Sequence, residues 1–242
     1  MFDIKKYISG IFVGSMLITS ANAQEFNFDY SEDIYLKFYT GFHDYQDVGW
    51  SSGASVDGFS WNVDAEYGFE PGWTVGTIVG YPLFDPSMPF LGNIRGELDA
   101  SYDKAYTDDL EIDASANFTL SDGSLIAYGA GTIPMNGKVE ILNFYNNFIY
   151  HSRQFSAINP YFGLGIGYSY AELNIEDLGG EVIGAQHRFS NVGAQFILGA
   201  DLFTSNNFSG GARVVGRAVN YSEEAIGTSR AISGQFDIRY NF

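Results

Sequence analysis

The amino-acid sequence predicts an all-β chain, an eight-stranded antiparallel transmembrane β-barrel with short turns at one end and long loops at the other. Three observations carry this. Apolar and polar residues alternate with a period of two in eight stretches of strand length. The connections between those stretches alternate between short and long. The N-terminal segment has the make-up of an export signal, and the chain has no cysteine with which an exported domain could be stapled.

In MFDIKKYISGIFVGSMLITSANA, Lys5 and Lys6 precede an apolar run from Ile8 to Ile18, and Ala21-Asn22-Ala23 follows. This order reads as a secretory signal peptide, residues 1–23, cut after Ala23. The run is too short for a spanning helix, which needs about 20 apolar residues. Residues 24–242 then form one barrel domain, with no later apolar segment long enough to span as a helix. The 29 Gly, 17 Tyr and 21 Phe occur in a chain that is 45% hydrophobic, yet its mean hydropathy is near zero. Apolar and polar residues are therefore interleaved.

The strands are expected at 34–42, 73–81, 93–103, 138–150, 161–171, 191–203, 208–218 and 229–242. Each is close to the about 9–11 residues of a tilted membrane strand. In NIRGELDASYD, Ile94, Leu98, Ala100 and Tyr102 share one face, and Asn93, Arg95, Glu97, Asp99 and Ser101 share the other. In YFGLGIGYSYA, Phe162, Leu164, Ile166, Tyr168 and Tyr170 alternate with three glycines and Ser169. Residues 138–150 carry Asn143, Asn146 and Asn147 on both faces, and Leu142, Phe144 and Phe148 set the outward one. The last strand, SRAISGQFDIRYNF, turns Phe236, Ile238, Tyr240 and Phe242 to one side. As an edge strand of a soluble sheet that face would lie uncovered, so lipid is its expected cover.

Connections 83–92, 151–159 and 204–207 are short, whereas 43–72, 103–137, 172–190 and 219–229 are mostly long. That alternation describes a bacterial outer-membrane barrel, with turns in the periplasm and loops outside. Two further alternating runs, WNVDAEYGF at 61–69 and LEIDASANFTL at 110–120, stand as strand extensions or hairpins above the membrane, or add a hairpin to make a ten-stranded wall. A soluble β-sandwich or lipocalin-like barrel is the other arrangement with this alternation. The apolar terminal strand and the Gly-rich polar faces favour the inside-out one.

With these strand phases, Lys37, Arg95, Arg213, Arg217 and Arg239 face the lumen with Glu97, Asp99, Asp201 and Asp237. An eight-stranded barrel is only wide enough for its own side chains, so a packed charge network is expected, a plug and not a pore. The formal charge of −17 then belongs to the loops. Residues 43–72 contribute Asp44, Asp47, Asp57, Asp64, Glu66 and Glu70, and 103–137 contribute Asp103, Asp108, Asp109, Glu111, Asp113 and Asp122. An acidic crown disfavours nucleic acid and lipopolysaccharide phosphates, and it suits basic partners or bridging divalent cations.

Catalytic groups are sparse. His151 and Ser152 are neighbours whose side chains point to opposite faces. His43 and His187 fall near the loop end, where Asp44 could orient an imidazole. No loop has an EF-hand pattern, and neither cofactor nor metal is expected. Gly163, Gly165 and Gly167 alternate within a strand with no helix following, so they read as lumen packing and not as a nucleotide loop. Trp73, Tyr81, Phe162, Tyr170, Phe208, Tyr240 and Phe242 sit near strand ends, as membrane-interface girdles do.

The order GTIVGYPL, NIRGELDASYD, ILNFYNNF and NPYFGLGIGYSYAEL resembles the eight-stranded barrel family of OmpA-like and Opa-like surface proteins of Gram-negative bacteria. The alternation closing on Phe236, Ile238, Tyr240 and Phe242 looks like the signal read by the barrel-assembly machinery. The resemblance implies an integral outer-membrane protein with both termini periplasmic. Its implied partners are outer-membrane lipids, the assembly machinery and an extracellular protein or surface ligand. Members serve as adhesins, envelope stabilisers and surface antigens. No peptidoglycan-binding domain follows the last strand, so cell-wall attachment is not implied. The expected function is therefore non-enzymatic, envelope-stabilising or adhesive through acidic loops. A narrow porin-like pore for small solutes and a lipid-modifying outer-membrane enzyme remain as alternatives.

Overall fold

The computed structural model describes residues 34–46, 48–56, 59–84, 90, 93–120, 123–152, 158–205, 207–220 and 228–242. The expected signal peptide, and Asp47, Asp57 and Asp122 of the expected crown, lie outside the described residues. Among the described residues ten strands are formed: β1 (Tyr35–Tyr45), β2 (Val48–Val56), β3 (Phe59–Phe69), β4 (Gly72–Pro82), β5 (Ile94–Leu120), β6 (Gly123–His151), β7 (Asn159–Leu178), β8 (Glu181–Ser205), β9 (Phe208–Asn220) and β10 (Thr228–Asn241).

Eight of them close a ring in the order β1, β4, β5, β6, β7, β8, β9, β10 and back to β1, every pair antiparallel. β1 and β10 seal it in continuous register from Tyr35↔Asn241 to Tyr45↔Ala231. The remaining two form a hairpin that stands on the ring. β2 pairs with β3, and β3 pairs with the far half of β5, from Phe59↔Phe118 to Phe69↔Thr107. β4 takes the near half of the same β5 edge, from Trp73↔Lys104 to Pro82↔Arg95. β3 and β4 thus follow one another along a single edge. The Glu70 N–H still donates to the Tyr106 carbonyl at 2.9 Å, and Pro71, with no N–H, marks the break. The wall has eight strands, and the ten-stranded arrangement is excluded.

The upper end, reached by the long connections, differs from the sequence reading in one respect. Residues 103–120, 123–137, 172–178 and 181–190 are not loops but continuations of the wall strands. β5 and β6 pair from Ile94↔Tyr150 up to Leu120↔Gly123, with one irregularity between Thr107 and Asp109. β7 and β8 pair from Asn159↔Asp201 to Leu178↔Glu181, where Gly179 and Gly180 turn the chain at φ 63° and 90°. Paired backbone continues past the apolar band because an antiparallel ladder satisfies its own N–H and C=O groups in water as in lipid.

The two faces divide as the alternation requires. On β1, Tyr35, Lys37, Tyr39, His43 and Tyr45 are buried, while Phe38 and Phe42 are exposed on the outside. Outward Phe42, Leu164, Ile166, Phe236 and Ile238 are between 61% and 75% exposed, far beyond what a soluble surface tolerates in one apolar band. Aromatic contacts border the band. At the lower end Phe90, Tyr150 and Phe162 follow at 5.1 and 5.4 Å, and Phe208, Tyr240 and Phe242 at 5.0 and 5.1 Å. At the upper end Trp73 lies 5.5 Å from Tyr102.

Among the described residues the β2–β3 hairpin hydrogen-bonds to the wall through the extension of β5, with Phe69 alone of its side chains placed against the apolar cluster above β1, so replacing residues 46–68 by a short turn leaves the ring intact. The shortened protein is expected to keep its heat-modifiable gel migration and to lose no more than about 1 kcal/mol in urea unfolding. A variant that stays at the unfolded position would show that the hairpin is part of the barrel.

Candidate functional site: the filled interior and the crown

The interior is built in tiers on the inward phase of β5. At the first tier the Lys37 ammonium lies 3.0 Å from Glu97 Oε1, both side chains fully buried, and the Tyr35 hydroxyl donates to the same oxygen at 2.6 Å. At the second, Arg213 Nη2 lies 3.3 Å from Asp99 Oδ2, and the Tyr39 hydroxyl donates to Asp99 Oδ1 at 2.7 Å. At the third, Arg217 Nη1 lies 2.7 Å from Asp103 Oδ2, and the Tyr45 hydroxyl donates to that oxygen at 3.1 Å. Each tier therefore joins a β5 carboxylate, a cation and a β1 tyrosine. The cations also stack on rings: Lys37 over Tyr161 at 4.9 Å, Arg213 over Tyr39 at 4.2 Å and Arg217 over Tyr145 at 4.9 Å.

β1 and β5 are not neighbours, since β4 runs between them. The tyrosines reach across because β4 offers glycine there. A Cβ on Gly80 would collide with the Tyr35 ring, and one on Gly76 with the Tyr39 ring. At the third tier β4 contributes directly, with Thr74 Oγ1 donating to Asp103 Oδ1 at 2.6 Å and Asn143 Nδ2 of β6 donating to Oδ2 at 2.9 Å. The space above Gly163, Gly165 and Gly167 is likewise taken by Ile149, Asn147 and Tyr145.

Above the tiers the lumen turns apolar. Tyr45, Ala105, Val139, Ile141, Ala171, Leu173, Val219 and Ala231 are all buried together, with Phe69, Ile175 and Phe189 packed against them. Below the tiers, Arg239 Nη1 lies 3.1 Å from Asp201 Oδ2, and the Arg95 and Arg239 guanidinium carbons stand 5.5 and 5.2 Å from the Tyr35 ring. Asp237 is 4% exposed and faces inward, with neither carboxylate oxygen hydrogen-bonded.

All nine charged residues assigned to the lumen by phase thus lie on the inner wall, and the structure adds Asp103. The sequence reading placed Asp103 in the acidic crown because it ended the strand there. Its odd number, in phase with Glu97 and Asp99, was the available signal. With it, among the described residues, five cations face five carboxylates: Lys37, Arg95, Arg213, Arg217 and Arg239 against Glu97, Asp99, Asp103, Asp201 and Asp237. The tyrosine donors share the inward phase of Lys37 on β1, whereas nothing in the sequence marked the apolar cap. Of the terminal-strand residues, Phe236, Ile238, Tyr240 and Phe242 all face outward.

The histidines are dispersed. His43 is buried at the upper end of β1, edge-on to Tyr45 at 4.5 Å, with neither ring nitrogen hydrogen-bonded. Asp44 points to the opposite, exposed face and cannot orient it, as the period of two on a strand requires. His151 is inward at the lower end, 5.1 Å from the Tyr161 ring, and His187 is exposed on the upper part of β8. Among the described residues no three of His, Cys, Asp and Glu cluster as metal ligands.

The crown concentrates like charge. Asp64 of β3 stands directly opposite Asp113 of β5, and Glu66 opposite Glu111. Cross-strand like charges destabilise a pair. The Tyr128 hydroxyl donates to Asp113 Oδ1 at 2.9 Å, which raises the phenol above its ordinary range, and partial burial raises Tyr67 of β3. Lower down, Lys138 pairs with Glu140 at 3.3 Å and Arg188 with Glu172 at 3.0 Å, so the rim of the wall is compensated where the hairpins are not.

An antiparallel ring of eight strands, polar and charge-paired inside and apolar outside, is the architecture of the outer-membrane β-barrels. In agreement, the chain superposes on the crystal structure of Neisserial surface protein A, NspA, with a TM-score of 0.50 at 12% identity, over 86% of this chain and 97% of that one. The outer-membrane protein OprG from Pseudomonas aeruginosa, at a TM-score of 0.39 and 12% identity over 88% and 99% of the two chains, is a more distant match. So is the outer-membrane protease OmpT from Escherichia coli, at 0.44 and 10% over 89% and 99%. At such identities the likeness concerns the fold alone. No family model and no curated protein matches the sequence.

Removing one member of the first tier strands the other. Glu97→Gln is expected to destabilise the barrel by about 3–5 kcal/mol in urea unfolding from detergent micelles, while adding Lys37→Met to it recovers at least about half of that loss. Additive losses would show that Lys37 and Glu97 act independently.

Proposed function

We propose that the chain is an integral outer-membrane surface protein, non-enzymatic, which stabilises the envelope and makes contact or adheres through its acidic hairpins. The observation that carries this reading is the division of charge. The interior is filled and balanced five against five, while uncompensated carboxylates stand opposite one another on hairpins beyond the wall. Such facing pairs gain when a cationic surface approaches, so a basic extracellular protein or surface ligand is the partner class that suits them, and nucleic acid is not. In this reading the hairpins are extracellular and both termini periplasmic. Lipid covers Phe236, Ile238, Tyr240 and Phe242, and the barrel-assembly machinery reads them first.

Two measurements test it. The protein is expected in the outer-membrane fraction, with a heat-modifiable band that fades when Phe242 is deleted and with hairpins cleaved by protease added to whole cells. In planar bilayers it is expected to give no conductance steps, because three ion tiers and an apolar cap occupy the lumen. Recovery from the soluble periplasmic fraction, or regular single-channel steps, would sink the proposal.

A further inference from the structure

We propose that the free upper edge of β6, residues 127–133, takes up an extended basic peptide of another protein as an additional strand. Below this stretch β7 covers the edge, and it leaves the ladder at Met135↔Leu178, where the Gly179 N–H donates to the Pro134 carbonyl at 2.9 Å. Above that point β6 runs on to Gly123, paired with β5 alone among the described residues. The far side of the same ladder has the opposite arrangement. On β5, β3 takes over where β4 ends, whereas on β6 no described strand succeeds β7. A row of backbone N–H and C=O groups is thus left open above the β7–β8 hairpin.

This edge has little of the protection that exposed strands carry. Free edges are blunted with charges, proline or bulges, yet the sequence from Gly123 to Ile133 contains neither a charged residue nor a proline. The charges of the four-stranded sheet lie instead on its two central strands, with Asp64 and Glu66 on β3 and Glu111 and Asp113 on β5. Residues 46–72 and 105–137 hold no Lys or Arg, so no cation of the sheet itself answers these acids. Along the edge Ala127, Tyr128, Gly129, Ala130, Gly131 and Thr132 are exposed, and a Cβ on Gly129 or Gly131 would meet nothing within 4 Å among the described residues. Ala130 stands opposite Asp113, and Thr132 opposite Glu111. A residue paired with either from outside shares its face, two strand spacings or about 10 Å from β5. A Lys or Arg there extends over the small edge residue toward the carboxylate. The Tyr128 hydroxyl, on Asp113 Oδ1 at 2.9 Å, already crosses from the edge to that acid. A second copy of the chain suits the edge less, because it would bring its own rows of acids to these. The proposal rests on the reading of the acidic hairpins as an extracellular contact surface and gives its mode: backbone pairing supplies affinity, and the carboxylates select basic side chains.

The test uses the folded full-length barrel in maltoside micelles and a dye-labelled decapeptide of alternating Thr and Lys, followed by fluorescence anisotropy at low ionic strength. Saturable binding is expected. The same peptide with its backbone amides N-methylated keeps every charge but has no N–H to pair, and it is expected to bind at least about tenfold more weakly. Glu111→Gln combined with Asp113→Asn is expected to weaken the unmethylated peptide at least about tenfold, where heat-modifiable migration shows that the variant folds. Because the chain has no cysteine, the site can be located by thiol exchange. A decapeptide carrying an activated disulfide is expected to be captured by Thr132→Cys and not by Ser55→Cys on the outer edge of β2. Equal binding of the methylated peptide, or capture at position 55 and not 132, overturns the edge site and leaves the hairpins as a plain electrostatic contact surface. Binding of neither peptide overturns both readings. A dimer in sedimentation that the peptide does not dissociate assigns the edge to a second copy and also overturns the proposal.

Discussion

The register between β1 and β10, unbroken from Tyr35↔Asn241 to Tyr45↔Ala231, leaves no free strand edge in the wall. In hydrocarbon an unpaired backbone N–H or C=O has no water to turn to, so a sheet that crosses a membrane must close on itself. Closure at eight strands then fixes the diameter, and the diameter allows an interior just large enough for side chains. Everything inside follows from that. Polar side chains on the inward phase cannot reach bulk water and must satisfy one another, which is what the tyrosine, carboxylate and cation tiers do.

The tiers also show why buried ion pairs are poor evidence of net stability. Desolvating Lys37 and Glu97 costs about as much as their attraction returns, and apolar residues of equal volume would often hold as well. What the pairs supply is specificity of position. Glu97, Asp99 and Asp103 lie on one strand, and their partners lie on β1 and β9, so a slip of one residue in any of the three strands would turn charges into the lipid. The glycines of β4 belong to the same device, since a side chain at Gly76 or Gly80 would lift the tyrosine from its carboxylate.

The molecule separates three environments along its axis. The compensated tiers and the apolar cap of Ile141, Leu173 and Val219 close the middle and top of the lumen. The facing acids of β3 and β5 stand beyond the wall, where water screens their repulsion. At the lower mouth Arg239 pairs with Asp201, and Arg95 lines the same cavity. Three ion pairs thus lie where water is excluded, and the facing acids lie where it is not.

Alternation by itself determined the strands, their inward and outward phases and the nine charged residues first assigned to the lumen, because period two is a local property of extended backbone. It also determined the outward band of Phe38, Leu164, Phe236 and Ile238. It could not say where a wall strand stops being a wall. Residues 107–120 and 172–178 alternate and pair in the same way above the apolar band as within it, so period alone does not tell that Asp103 belongs to the wall or that β5 and β6 run on as one ladder. Nor could it choose between eight strands and ten. Only the tertiary structure decided that β3 and β4 share one edge of β5 and that β1 tyrosines cross β4 to reach β5 carboxylates. The mouth where Arg95 meets Arg239 was decided there too. These are contacts between strands distant in the chain, and no period within one strand encodes which other strand it will face.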